Sequence, residues 1–332
     1  MLLAAALYMA APTPAMRSVL TELGSFNAPP VESVEPRIAR EAPGPNDAVA
    51  QLLSRRGLPT VEIVGDVSHR LVPTNYGGIL LRIYRPRGSS ASAKLPGLVY
   101  FHGGGFVISS INGYDASCRA LANASGAEII SVGYRQAPEN PYPAAWDDAV
   151  TATKFVMNNA SSLGVNAGKI MVGGESAGGN LATAVCIRLK KEGAKLPKHQ
   201  LLVYPVTDWT RSTDRSIEEN AKAKPLNKAM LGWFKKFTYP DPSRAAESQA
   251  SPYKATNVEL KGLPAATFVF AQIDPLRQQG MDYAMKLKAN GVKVDYRLYN
   301  GVTHEFFGMG AVVPQAKAAE TYAANRLRAA AR

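Results

Sequence analysis

The sequence predicts an α/β fold, with a mixed, mostly parallel sheet of about eight strands and helices on both faces. Three observations predict it. From residue 95 to the C-terminus, short β-rich runs alternate with longer helical stretches. The pentapeptide Gly174-Glu175-Ser176-Ala177-Gly178 stands between an apolar strand and the start of a helix. His102-Gly103-Gly104-Gly105 follows an earlier apolar strand in the same manner.

A chain of 332 residues, 46% of them hydrophobic, can bury a large core without a disulfide or metal staple. Its two cysteines, Cys118 and Cys186, lie far apart and outside any CxxC pair, so they read as buried thiols. No metal cluster and no cofactor motif is expected. The net charge of +12 is lopsided: residues 1–166 carry 13 basic and 12 acidic side chains, residues 167–332 carry 25 and 14. The lysine clusters sit among acidic and apolar residues without a nucleic-acid-binding motif, so they read as solvated surface, and no nucleic-acid partner is expected. The opening MLLAAALYMAA has the look of a signal-peptide core, with cleavage after Ala15 as one option. No Lys or Arg precedes the run and it is too short to span a membrane, so no stable membrane insertion is expected. The balance tips slightly toward the cytoplasm, with the periplasm or secretion as the alternative if residues 1–15 belong to a signal peptide.

The elements follow in order. Helices are expected near 14–23 and 46–56, the second started by Pro45-Asn46-Asp47 and stopped by Gly57. Residues 61–72 and 79–86 read as antiparallel strands joined through Asn75-Tyr76-Gly77-Gly78. The runs 95–101 and 128–134 are continuously apolar, as strands covered on both faces are. A helix is expected over 143–160, a strand over 169–173, a helix over 177–192 and a strand over 200–206. The series resumes with a strand at 265–273, a helix at 278–290, a strand at 292–299 and a helix at 314–331. Residues 209–250 interrupt it with Trp209, Trp233, Phe234, Phe237 and Tyr239 among many charges. A long insertion after a strand's carboxyl end is where such a sheet places a lid.

The chemistry sits in the Gly-rich turns. G-x-S-x-G between strand and helix is a nucleophile elbow, which thrusts the hydroxyl of Ser176 out at the top of the sheet. An HGGG loop offers backbone N–H groups to a developing oxyanion, and glycine lets that backbone approach the substrate. Neither dinucleotide nor P-loop spacing can be matched there. A serine nucleophile needs a base, and the chain holds four histidines. His69 lies in an early strand, His199 leads into a strand at its amino end, and His102 belongs to the loop. His304 follows the last strand at its carboxyl end, where such sites assemble, and is the base by elimination and position. The acid comes between Ser and His in chain order: Asp274 after strand 265–273, with Asp208 as runner-up.

HGGGF (102–106), YRQAPENPYPAAWDDA (134–149), GGESAGGNLA (173–182), DPLRQQG (274–280) and GVTHEF (301–306) occur in order and spacing that resemble the hormone-sensitive-lipase-like esterases, bacterial family IV of the α/β-hydrolases. The resemblance covers about residues 60–330. It implies the α/β-hydrolase fold and carboxylic ester hydrolysis of short- to medium-chain acyl esters, without metal or cofactor. It implies a triad of Ser176, Asp274 and His304, and an oxyanion hole from Gly103, Gly104, Gly105 and the Ala177 N–H. It also implies a cap built from residues 1–60 and 209–250 on a catalytic domain of 61–208 and 251–332. Tyr134, Arg135 and Asp148 carry over as structural supports. Phe106, Trp209, Trp233 and Phe234 are pocket candidates, the partner is a small ester, and a homodimer is allowed. Glu175 stands where many relatives have Asp, and Gln278 and Gln279 replace acidic residues common after DPLR. An amidase or deacetylase with the same triad stays open, and a non-catalytic binding protein is disfavoured because the base is present. The Ser251–Lys254 SxxK match lacks its companion motifs.

Overall fold

The computed structural model describes residues 10–332. The apolar opening run therefore lies almost wholly outside the described residues, whereas Ala15 sits in the first turn of the first helix, α1 (Pro14–Ser25). Two further N-terminal helices follow, α2 (Pro36–Glu41) and α3 (Pro45–Arg55). The strands are β1 (Asp66–Thr74), β2 (Gly77–Arg85), β3 (Leu95–Phe101), β4 (Glu128–Gly133), β5 (Val165–Glu175), β6 (His199–Val203), β7 (Ala265–Ile273) and β8 (Val294–Thr303). They form one eight-stranded sheet in the order β1-β2-β4-β3-β5-β6-β7-β8. β1, β2 and β4 pair antiparallel, and every neighbour from β4 to β8 pairs parallel.

The hairpin is tighter than expected: Thr74 faces Gly77, leaving Asn75 and Tyr76 as the turn. At its other end Asp66 faces Arg85, so β1 starts five residues later than the apolar pattern suggests. Pro86 follows Arg85 and has no N–H with which to extend the ladder.

Parallel strands need crossovers, and the helices supply them. They are α4 (Asp115–Ser125), α5 (Ala144–Asn158), α6 (Ala177–Lys191) and α10 (Arg277–Ala289), and α11 (Pro314–Ala330) closes the chain after β8. The insertion adds α7 (Arg215–Glu219) and α8 (Lys228–Thr238), and a short α9 (Asn257–Leu260) precedes β7. Side chains alternate across the sheet. Val99 and Phe101 of β3 join the core beneath α5, α6 and α10, while Leu98 and Tyr100 join the one beneath α4 and α11. Cys118 and Cys186 are buried free thiols, one in each core.

Candidate active site

β5 ends at Glu175 and α6 begins at Ala177, so Ser176 alone makes the turn, with φ 55° and ψ −116°. An L residue rarely adopts that left-handed backbone, and here it is pinned. The Ser176 N–H donates to the Val203 carbonyl at 2.9 Å, and its own carbonyl accepts from the Asn180 N–H at 3.1 Å. The flanking glycines are steric requirements. A Cβ on Gly178 would lie 1.9 Å from the Phe101 carbonyl oxygen, and one on Gly174 2.4 Å from the same atom. Both clashes are with backbone at the end of β3, which cannot swing aside. Gly178→Ala is therefore expected to destabilise the fold by about 3 kcal/mol or more, seen as a lower urea midpoint at unchanged m-value.

The loops after β7 and β8 bring the other two groups to this turn. His304 Nε2 lies 2.9 Å from Ser176 Oγ, and His304 Nδ1 lies 2.8 Å from Asp274 Oδ2. Asp274 is fully buried, and its second oxygen accepts from the Leu276 N–H at 2.8 Å. With both oxygens engaged, the carboxylate holds the imidazole in the tautomer that leaves Nε2 free to accept a proton. Burial lowers the basicity of His304, yet the neighbouring carboxylates, Asp274 foremost through its charge and hydrogen bond, together outweigh it and raise the pKa above the usual 6.5. The remaining histidines are elsewhere. His69 accepts from Arg82 Nε at the surface, and His199 is buried against Thr267 and pushed down to about 4 by desolvation. Asp208 meets no histidine; it accepts from the N–H and hydroxyl of Thr210 at 3.0 and 2.6 Å.

The HGGG loop lies beside the elbow. His102 stacks on Tyr134 at 4.2 Å between ring centroids, and desolvation pushes it down to about 4, so it is neutral at working pH. The Tyr134 hydroxyl donates to the His102 carbonyl at 2.8 Å, fixing the loop's first peptide. Gly104 and Gly105 have φ of +91° and +59°, and the Gly105 Cα is covered by the ring of Phe234. Among the described residues the N–H groups of Gly104, Gly105 and Ala177 donate to no protein acceptor. They are free to serve a developing charge.

A family model described as alpha/beta hydrolase fold matches residues 98–308. The chain belongs to that family, in its hormone-sensitive-lipase-like branch. It is 38% identical over 251 residues to Esterase LipI of Mycobacterium tuberculosis, covering 75% of this chain and 76% of that protein. Its identity to ethyl acetate hydrolase of Pseudomonas putida is 34% over 237 residues, covering 71% and 74%. Among solved structures, a hyperthermophilic esterase from the archaeon Pyrobaculum calidifontis matches with a TM-score of 0.87 and 35% identity. That match covers 96% of this chain and 98% of the other.

In this α/β-hydrolase a cleft of about 210 Å³ opens against the insertion, lined by Val206, Trp209, Ile217, Leu231, Lys235 and Leu276 among others, with none of Ser176, Asp274, His304 or the HGGG glycines in its wall. Val206 is anchored to the elbow, its N–H donating to the Ser176 carbonyl. A larger groove of about 640 Å³ between β8 and α11 likewise contains none of the reactive groups. Of the four aromatic pocket candidates, Trp209 lines the cleft. Phe106 is buried against Trp146 at 4.2 Å, and Phe234 lies on Gly105. Trp233 turns away, its indole N–H donating to the Val34 carbonyl at 3.0 Å. Arg135 and Asp148 form an ion pair at 2.8 Å that also takes the Tyr76 hydroxyl, a structural clamp as the resemblance implies. Gln279 has a role of its own: its Oε1 accepts the N–H groups of Thr207 and Asp208 at 2.7 and 2.8 Å.

Sequence reasoning passed over Glu175, Glu305 and their tyrosines as functional groups. Glu175 is fully buried beside the serine and accepts from Tyr100 at 2.6 Å and from Tyr204. Glu305 follows the histidine and meets the Tyr114 hydroxyl. One signal was available: an acidic residue adjoins both reactive residues in the chain, at GESAG and at THEF.

Proposed function

We propose that Ser176, His304 and Asp274 carry the reaction of this serine carboxylesterase, and that Gly103–Gly105 and Ala177 supply its oxyanion hole. The observation that carries the reading is the unbroken run of hydrogen bonds from Ser176 Oγ through the imidazole to the buried Asp274 carboxylate. Ser176 Oγ attacks the ester carbonyl while its proton passes to His304 Nε2, and the tetrahedral oxyanion takes the free N–H groups. Each such donor lowers the barrier by roughly 3 kcal/mol. The imidazolium, paired with Asp274, then protonates the leaving alkoxide. Water, activated by the same base, releases the acid. Because His304 must be neutral, kcat/KM falls as pH drops through its raised pKa.

The cap reading draws support from contacts that tie residues 31–41 to the insertion and the HGGG loop. Asn227 donates to Glu32 at 2.9 Å, and Arg40 Nε donates to the Val107 carbonyl at 2.7 Å. The substrate is a small ester with a short to medium acyl chain. The 34% identity to ethyl acetate hydrolase of Pseudomonas putida, an enzyme named for a small ester, supports this reading. No described helix is long and apolar enough to cross a membrane. A series of p-nitrophenyl esters from acetate to palmitate, with a matched anilide, tests this reading. We expect kcat/KM to peak at or below about eight carbons, since each further CH₂ left unburied forfeits ~0.8 kcal/mol. A peak at palmitate would overturn the size assignment, and faster anilide cleavage would make the enzyme an amidase.

A further inference from the structure

His304 faces two carboxylates, not one. Asp274 holds Nδ1, while Glu305 Oε1 lies 3.6 Å from Nε2, the nitrogen that exchanges the proton with Ser176. Glu305 is placed there at a backbone cost: its φ is 66°, in the left-handed region that non-glycine residues avoid. The position is held by Tyr114, whose hydroxyl lies 2.8 and 2.7 Å from the two carboxylate oxygens. Tyr114 in turn packs against the oxyanion loop, where a Cβ on Gly103 would lie 2.2 Å from its hydroxyl. A strained acidic residue, clamped by a tyrosine and aimed at the proton-carrying atom, is unexplained by packing.

We propose that Glu305 is a positioning residue of the reaction, its carboxylate stabilising the protonated imidazole of His304 from the Nε2 side. This rests on His304 being the base. While the imidazole is neutral, the carboxylate faces a nitrogen lone pair and gains nothing. Once the Ser176 proton arrives on Nε2, the same carboxylate faces an N–H of a cation. The interaction is thus stronger in the transition state than in the ground state, which is what accelerates a chemical step.

The surrounding groups leave the charge on Glu305. Tyr114, Tyr134 and Tyr204 face it, and burial keeps all three phenols neutral. Glu175 on β5 is the nearby acid; burial, then the charge of Glu305, push its pKa up. Glu305 is also raised by burial, but His304 and Tyr114 pull in the opposite direction. Two neighbouring buried acids do not both ionise cheaply, and the one beside the imidazole keeps the charge while Glu175 holds the proton. Asp274 stays committed to Nδ1 and Leu276.

The test compares the full-length resting enzyme with Glu305→Gln and Glu305→Asp. Glutamine keeps the size and the acceptor for Tyr114 but removes the charge; aspartate keeps the charge on a shorter arm. The His304 ring proton is titrated by NMR, and kcat/KM is followed against pH on p-nitrophenyl butyrate. In Glu305→Gln the His304 titration and the acid limb are expected to move together to lower pH by about half a pH unit or more. We expect kcat to fall several-fold with KM nearly unchanged, and Glu305→Asp to lie between that variant and the wild type. An unmoved titration in Glu305→Gln, or equal displacement in both variants, overturns the proposal. An enzyme lacking any acid limb would instead refute His304 as base, while the NMR titration would still report whether Glu305 acts on it.

Discussion

Ser176→Ala is expected to lower kcat on p-nitrophenyl acetate by on the order of a millionfold and to abolish covalent labelling by an organophosphate. The size follows from how the site is assembled. The hydroxyl oxygen forms the acyl bond, and it is the hydroxyl that sits 2.9 Å from the base. The proposed oxyanion donors alone would give only the residual rate that such a site retains without its nucleophile. The fold is expected to survive, because the strained turn is fixed by backbone: the Ser176 N–H on Val203 and its carbonyl on Asn180. Alanine occupies the same left-handed conformation at similar cost, so the urea midpoint stays close to that of the wild type. A variant that still labels at full stoichiometry would place the nucleophile elsewhere.

The parts of this architecture that were legible in sequence are those with a local physical signature. β3 and β7 are continuous apolar runs because both faces of a parallel strand are covered, and the structure gives them the expected bounds. The elbow was legible because a single turn demands glycine at both Gly174 and Gly178. His304 was singled out by elimination among four histidines and Asp274 by chain order, and the structure brings both to Ser176. α4 was missed because its start carries no helix signal: Tyr114 stands at the N-cap position and its side chain makes no capping hydrogen bond. α2, with six residues, is too short to show a period. The partners of Glu305 were illegible for another reason: Tyr114 lies 191 residues away, and no local pattern records a contact made only by the closed sheet. Trp233 shows the same limit, since its partner Val34 belongs to the N-terminal segment.

Asp274→Asn is expected to lower kcat by roughly ten-thousandfold, whereas Asp208→Asn is expected to leave kcat near the wild-type value. Asp274 directly follows β7 and Asp208 lies five residues beyond β6, and sequence alone admitted either as the acid. Their surroundings separate them. Asp274 is fully buried and has one oxygen on His304 Nδ1 at 2.8 Å, with the other on the Leu276 N–H. An asparagine there keeps the shape but turns an N–H₂ toward the imidazole when its oxygen stays on Leu276. Nδ1 then becomes the acceptor, the proton moves to Nε2, and the base is blocked toward Ser176. The imidazolium also loses its buried counter-charge, so acylation suffers twice. Asp208 instead faces Thr210, with Arg211 and Lys254 at 3.8 and 3.5 Å, so its loss is felt in stability. Measuring kcat beside the urea midpoint for both variants separates these effects. A large fall in kcat for Asp208→Asn with a mild one for Asp274→Asn would reverse the assignment. Slow organophosphate labelling of Asp274→Asn, set against none in Ser176→Ala, would show the nucleophile intact but deprived of its base.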